Sequence, residues 1–218
     1  MPGSGKSKRG DAGTIVVSGT GRVSVVPDVA DVRLGVAVTK PKIDAARAEA
    51  ATTMDAILAA LDAAGVARRD VRTTLLSIQP RFEYRDGKPP KLTGYELTNL
   101  VEATIRDLGK LGDVVDGALG AGATSMDGPT FRVADPAPAE REARQRAMAD
   151  ARSRADVLAG SGGLAIEGVS DIVEGGAMPP PRPFGKADRM MLAAEAATPV
   201  EAGALDVVVT VSVTYRAR

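Results

Sequence analysis

The sequence predicts an α+β fold, on three observations. Several stretches alternate apolar and polar residues with the period of two that a half-buried strand requires. Three others space their apolar residues three and four apart, as amphipathic helices do. The order of these elements is two strands and part of a third, a helix, a long hairpin, a helix, a strand, a helix, a strand, an irregular region and a last strand, which is not the regular alternation of an α/β protein. Strict alternation belongs to antiparallel sheets with one solvated face. Strands covered on both sides read as unbroken apolar runs, so a doubly wound, Rossmann-type fold is disfavoured.

Taken in chain order, residues 1–13, MPGSGKSKRGDAG, have no apolar periodicity and the composition of a flexible tail or a cloning remnant. The GSGKS within them puts Gly5, Lys6 and Ser7 in the order of a phosphate-binding loop. The glycine that such a loop needs five positions earlier would precede Met1, and no strand delivers the loop, so ATP binding is not expected. In VADVRLGVAVT (29–39), Ala30, Val32, Leu34, Val36 and Val38 share a face, opposite Asp31, Arg33, Gly35 and Thr39. SIQPRFEY sets Ile78, Pro80, Phe82 and Tyr84 against Ser77, Gln79, Arg81 and Glu83, and YELTNLVEATI aligns Tyr95, Leu97, Val101, Ala103 and Ile105. The clearest strand is LDVVVTVSVTY, with Leu205, Val207, Val209, Val211, Val213 and Tyr215 on one face. Alternation turns two aromatic residues inward, Tyr95 and Phe131.

The first helix covers about 43–64, with Ala46, Ala50, Met54, Ile57, Leu58 and Leu61 on its stripe, and stops at Gly65, after which Val66 is placed for the usual C-cap contact. The second runs from about Asp107 to Leu119, with Leu108, Leu111, Val115 and Ala118 inward. The third has Asp135 as N-cap and Pro136 in the first position, and extends to about Ala159. Its face is small: Ala143, Ala147, Ala151, Ala155 and Ala159 recur every four residues, a spacing that lets a helix lie close to its neighbour, and Met148 and Leu158 widen the stripe. Between Gly175 and Val200 the chain is Pro-rich, then Met- and Ala-rich, and reads as a long loop with at most a short helix. The expected organisation is a tail at 1–13 and one domain at 14–218 with a Pro/Met-rich insertion at about 176–200.

Composition narrows the function. The 28 basic and 28 acidic side chains cancel, so no long-range field gathers nucleic acid or an anionic membrane. No run approaches the roughly 18 apolar residues of a membrane span, and the basic start is not followed by the apolar core of an export signal. The chain has no Cys and no His, which excludes disulfides, thiolate and imidazole metal sites, and Ser-His-Asp or Cys-His catalysis. No acidic spacing resembles a Ca²⁺ loop. No cofactor and no metal are expected.

The ordered series IVVSGTGRV (15–23), VPDVADVRLGV (26–36), GVARRDVRTT (65–74), IQPRFEY (78–84), GYELTNLVEATIRDLGKLGDVVDGALGAGA (94–123) and TPVEAGALDVVVTVSVTY (198–215) resembles the SIMPL domain family. Its bacterial members include periplasmic immunogenic proteins of the outer-membrane-protein-28 type. The resemblance implies a curved, mostly antiparallel sheet with helices packed on it and large ring- or barrel-like homo-oligomers. It brings no catalytic residues to carry over. Relatives commonly bear an export signal, whereas this chain by itself reads as cytoplasmic, so both a cytoplasmic and a cell-envelope location stay open.

Individual candidates have plain readings. Asp28 after Pro27 is expected to bond local backbone N–H groups in a turn, and the amide of Asn99 to satisfy a neighbouring backbone group. Arg141, Arg144, Arg146, Arg152 and Arg154 alternate with acids on the third helix and read as an ion-paired, solvated face. Two functional classes follow: a non-enzymatic, self-assembling scaffold or binding protein, and a hydrolase using paired carboxylates or a Ser–Lys pair. The expected partner is a second copy of the chain, in contact through Met178, Phe184, Met190, Met191 and Leu192.

Overall fold

The computed structural model describes residues 13–175 and 200–218. Among them the chain forms seven strands and three α-helices. They divide into two compact units, one holding residues 13–26, 135–175 and 204–218, the other 27–134 and 200–203. The α+β class stands, with antiparallel strands in two sheets. The residues read as one domain at 14–218 thus pack around two hydrophobic cores, one per unit.

The first unit contains β1 (Gly13–Val25), β6 (Ile166–Glu174), β7 (Leu205–Ala217) and α3 (Ala137–Ser161). Its sheet runs β1-β7-β6, and β1 pairs with β7 without a break from Gly13↔Ala217 to Val25↔Leu205. The β-branched residues of β7 suit a pleated surface, and the face predicted from their alternation, Leu205 to Tyr215, is buried throughout. Against it lies the alanine ladder of α3, Ala139 to Ala159, also buried. The helix comes so close because β1 offers glycines. A Cβ at Gly19 would stand 2.1 Å from the Ala147 carbonyl oxygen, and one at Gly21 1.8 Å from that of Ala143, so only hydrogen fits there. Tyr215, 1% exposed, fills the far end of this core, with the Arg152 guanidinium 5.8 Å over its ring. Met148 packs at the margin of the core, whereas Leu158 is 52% exposed and does not widen the stripe, because the alanine ladder alone faces the sheet.

The second unit contains β2 (Val29–Lys40), α1 (Ile43–Ala63), β3 (Val71–Glu83), β4 (Lys91–Ile105), α2 (Leu111–Gly120) and β5 (Ser125–Arg132). Single 3₁₀ turns precede β3 and α2. The sheet order is β3-β4-β2-β5, antiparallel throughout. Ala46, Ala50, Met54, Ile57 and Leu61 of α1 meet Val32 to Val38 of β2 and Leu97, Val101 and Ala103 of β4, with α2 against α1.

All three helices end in the same way. Gly65 (φ 89°), Gly122 (φ 99°) and Gly163 (φ 66°) take left-handed backbone, and the next residue's N–H reaches back five residues, from Val66 to Leu61, Ala123 to Ala118 and Leu164 to Ala159. At its start α3 has Pro136 in helical conformation, and Asp135 Oδ1 accepts the N–H of Ala137 at 3.1 Å.

The structure departs from the expected buried face on β3. Its alternation is as read, and Leu76 and Ile78 stand in register beside Asn99 and Leu97, on the side of the sheet that carries the helices. But α1 lies over β2 and β4, and Ile78 stays 43%, Phe82 45% and Tyr84 76% exposed. Tyr95 is only half-buried and Phe131 packs at the margin of the core, so among the described residues the fully buried aromatic is Tyr215 instead.

Two expectations follow for stability. Gly21→Ala, which drives a methyl group into the α3 backbone, should lower unfolding free energy in urea by about 3 kcal/mol or more, while Gly160→Ala, where a Cβ meets open space, should be neutral or stabilising by up to ~1 kcal/mol. Equal effects would contradict the close approach of α3 to β1. Tyr215→Ala should cost about 3–5 kcal/mol and Tyr95→Ala clearly less, which chemical denaturation of the two variants compares directly.

Candidate functional site

Two features of the second unit stand out, a lattice of charges on the outer face of its sheet and an apolar shelf on the inner face of its edge strand. The lattice follows from the alternation itself, because every second residue of β2, β3, β4 and β5 points away from the helices. In one row across the sheet, Arg72, Glu102, Arg33 and Asp127 are cross-strand neighbours of alternating sign. Arg72 donates to Glu102 at 2.6 Å, and Arg33 lies 3.5 Å from Asp127. In the next row Thr104 Oγ1 donates to Asp31 at 2.7 Å, and Arg132 from β5 forks onto the same carboxylate. Burial pushes the Asp31 carboxyl up. The hydrogen bonds from Arg132 and Thr104, with the charges of Arg132 and Arg72, outweigh that, and its pKa falls below the ordinary value.

Beside this network two Arg-Asp dipeptides distant in sequence come together. Arg69 and Asp70 enter β3, Arg106 and Asp107 leave β4, and Arg106 grips both Asp70 oxygens, the shortest contact being 2.8 Å. That hydrogen bond is the main reason the Asp70 carboxyl sits below its usual range. Asp107 accepts the N–H of Gly109 and closes the turn before α2. With Lys110 these residues rim a cleft of about 200 Å³ floored by Val66, Ile105 and Val114. A carboxylate held charged by an arginine is a poor proton donor near neutral pH, and no serine lines the cleft. Sequence reasoning passed over both pairs; the signal for one of them was the Arg-Asp dipeptide repeated at a strand entrance and a strand exit.

The individually weighed residues fall apart in space. Asp28 does not close a local turn: its Oδ1 accepts the N–H of Ala134, 106 residues on, at 2.7 Å, and so ties the start of β2 to the end of β5. Asn99 does not satisfy a neighbouring backbone group, for its amide oxygen is buried without a partner among the described residues. On α3, Arg144, Arg146, Arg152 and Arg154 pair with Glu140, Glu142, Asp156 and Asp150 at i,i+4 spacing, the ion-paired face expected. Asp150 also accepts the N–H of Thr20 on β1, and this bond is the chief cause of its lowered pKa. Met178, Phe184, Met190, Met191 and Leu192, like Lys6, lie outside the described residues. Among the described residues no group of three or more acidic side chains is gathered closely enough to hold a metal ion, and no helix is long and apolar enough to cross a membrane.

The shelf is the larger feature. Leu76, Ile78 and Phe82, with Leu92 opposite Phe82, form an apolar strip along the β3–β4 hairpin that nothing covers among the described residues, and Tyr84, just beyond the end of β3, is exposed as well. A register shift between Thr73 and Leu75 brings Leu76 onto the inner face, so that the strip begins where α1 ceases to reach. On the opposite face of the same hairpin Arg81 pairs with Glu96, and Arg85, just beyond β3, pairs with Glu83.

The Asp31 network has a testable pH signature. Its depressed folded-state pKa means that its contribution is present in full above the ordinary aspartate pKa of about 3.9 and is lost as pH falls through the lower folded value. Asp31→Asn should therefore lower the urea midpoint at pH 7, with the difference from wild type shrinking below about pH 4. A difference that stays constant down to pH 2 would contradict the pairing.

Comparison with known proteins supplies the lineage. The family model SIMPL, described as a protein of unknown function (DUF541), matches residues 15–215. The 26 kDa periplasmic immunogenic protein of Brucella melitensis biotype 1 is 31% identical over 211 residues, covering 92% of this chain and 83% of that relative. The uncharacterized protein YggE of Escherichia coli (strain K12) is 34% identical over 149 residues, 68% of this chain, and the match spans 60% of that relative's length. The match to the family model over nearly the whole chain, with relatives at 31% and 34% identity, makes this chain a member of the SIMPL family.

Proposed function

We propose that the protein works without catalysis, as a self-assembling scaffold or binding protein of the cell envelope that forms a large ring- or barrel-like homo-oligomer. The observation that carries this reading is the apolar strip of the β3–β4 hairpin, whose side chains are 67% exposed at Leu76 and 45% at Phe82. Contiguous apolar surface of this kind marks contact sites more often than it marks free surface. The envelope location is supported by the Brucella relative, which is named periplasmic. Of the competing reading, a hydrolase with paired carboxylates or a Ser–Lys pair, the paired-carboxylate form needs an acid group with a raised pKa. Among the described residues the carboxylates that depart from their ordinary values, Asp31, Asp70 and Asp150, all move down, each held charged by arginine or backbone N–H partners.

Sedimentation velocity on the full chain tests the proposal. The expected result is a native mass several times that of one chain across the micromolar range. A monomer throughout that range contradicts self-assembly.

A further inference from the structure

We propose that the cleft beside the Asp70–Arg106 pair binds a small organic carboxylate, its head at Lys110 and Arg69 and its apolar body on Val66, Ile105 and Val114. The site belongs to a single chain and stands or falls apart from self-assembly. Charge carries the first part of the argument. The cleft is lined by Arg69, Arg106 and Lys110 and by Asp70 and Asp107, three positive side chains to two negative. Both acids are already engaged. Arg106 holds the two oxygens of Asp70, and Asp107 Oδ1 accepts the N–H of Gly109 at 3.2 Å. With Arg106 committed to Asp70, the cations that remain are Arg69 and Lys110. The ion-pair contact of Arg69 is with Asp70 at 4.0 Å, the same carboxylate that Arg106 grips at 2.8 Å. Lys110 ends the 3₁₀ turn before α2 and folds back over the loop that follows α1, where a Cβ at Gly65 would stand 3.5 Å from its Nζ. Gly65 lines the cleft as well, so the ammonium lies at the cleft wall. Among the described residues it has neither an ion-pair partner nor a hydrogen-bond acceptor, and its donors are free.

The floor and the volume then select the ligand. Val66, Ile105 and Val114 are members of the hydrophobic core, and the side they turn to the cleft offers no hydrogen bond. A phosphate ion filling such a space would give up water over an apolar floor, at a cost that two exposed cations do not return. An organic cation would meet a surplus of its own sign. A neutral hydrocarbon would shield the Lys110 donors from water and give them nothing in exchange. A carboxylate with a short hydrocarbon body meets both demands, its charge on the free donors and its methylene groups on the floor. The space, about 200 Å³, holds roughly seven water molecules at about 30 Å³ each. That is below the ~300 Å³ at which sites for larger ligands begin, and no aromatic residue lines the cleft to stack a nucleobase.

The floor residues are valine and isoleucine, so methyl NMR of the full chain reads the site directly, whatever the native mass. Hexanoate is titrated into the wild type, with acetate and hexylammonium as the two controls, and hexanoate into the double variant Arg69→Gln, Lys110→Gln. Both replaced side chains are exposed, and an unchanged urea midpoint checks that the variant is folded. Expected are saturable shifts of the Val66, Ile105 and Val114 methyl signals at low millimolar hexanoate, with Ile78 on the β3 strip unmoved. Acetate and hexylammonium should each bind about tenfold more weakly, and the double variant should raise the hexanoate Kd about tenfold, two exposed charge contacts being lost. No saturable shift with hexanoate overturns the site. Equal binding of hexylammonium shows that the cations play no part, and equal binding of acetate that the floor plays none; either result overturns the ligand class. Shifts centred on Ile78 move binding to the strip and overturn the cleft. An unchanged Kd in the folded double variant does so too, and should that variant not fold, the wild-type series with its two controls decides alone.

Discussion

An α-helix is about 10–12 Å across and neighbouring strands are about 4.8 Å apart, so one helix covers two strands and no more. Both units obey this limit. In one, α3 lies over β1 and β7 and leaves β6 with Val169 and Ile172 in water; in the other, α1 lies over β2 and β4 and leaves β3 with Leu76, Ile78 and Phe82 in water. The hydrophobic cores are accordingly narrow, and the strand beyond the helix keeps a face that is apolar in sequence and exposed in space. What is unusual about the surface of this protein is a consequence of the number of helices per strand.

Within that limit, contact between layers is set by side-chain size. In the first unit the alanine ladder of α3 meets Gly19 and Gly21, so helix and sheet touch backbone to backbone. The SGTG stretch that supports the family resemblance has its physical reason here, since two glycines on one strand face admit the helix. The same closeness lets Asp150 and Arg146 reach over the edge of β1 and occupy its backbone groups, which blunts that edge. In the second unit larger residues, Met54, Ile57 and Leu61, hold α1 on the sheet, and no side chain of the helix layer reaches the far strand in the same way.

Charge is used locally and cancels locally. The row Arg72, Glu102, Arg33, Asp127, the Asp31–Thr104–Arg132 cluster and the Asp70–Arg106 pair spread across the solvated face of one sheet. Exposed pairs of this sort contribute little one by one. They set opposite charges side by side on adjacent strands and leave no concentrated field of either sign, in keeping with a chain whose formal charge is zero. A protein built this way suits contact with surfaces as neutral as its own.

Much of the fold was legible because alternation and helical spacing are local signals. The buried faces of β2, β4 and β7, the stripe of α1, the alanine ladder of α3 and the glycine that ends α1 could all be read from neighbours a few positions apart. The candidate site was legible only in its parts. Period two tells which residues share a face, but whether a helix lies on that face depends on how many strands the helix layer spans, and so the apolar side of β3 could be recognised and yet be placed in the core. Asp28 could be seen as a backbone acceptor, while its donor, Ala134, lies at the far end of the same sheet. Asp70 and Arg106 are 36 residues apart and meet only because β3 and β4 pair. Local sequence by itself determined the elements and the residues each could bury; which were in fact covered, and which charges met, was decided by the tertiary structure, because covering a face and closing an ion pair both depend on distances that only the packed chain sets.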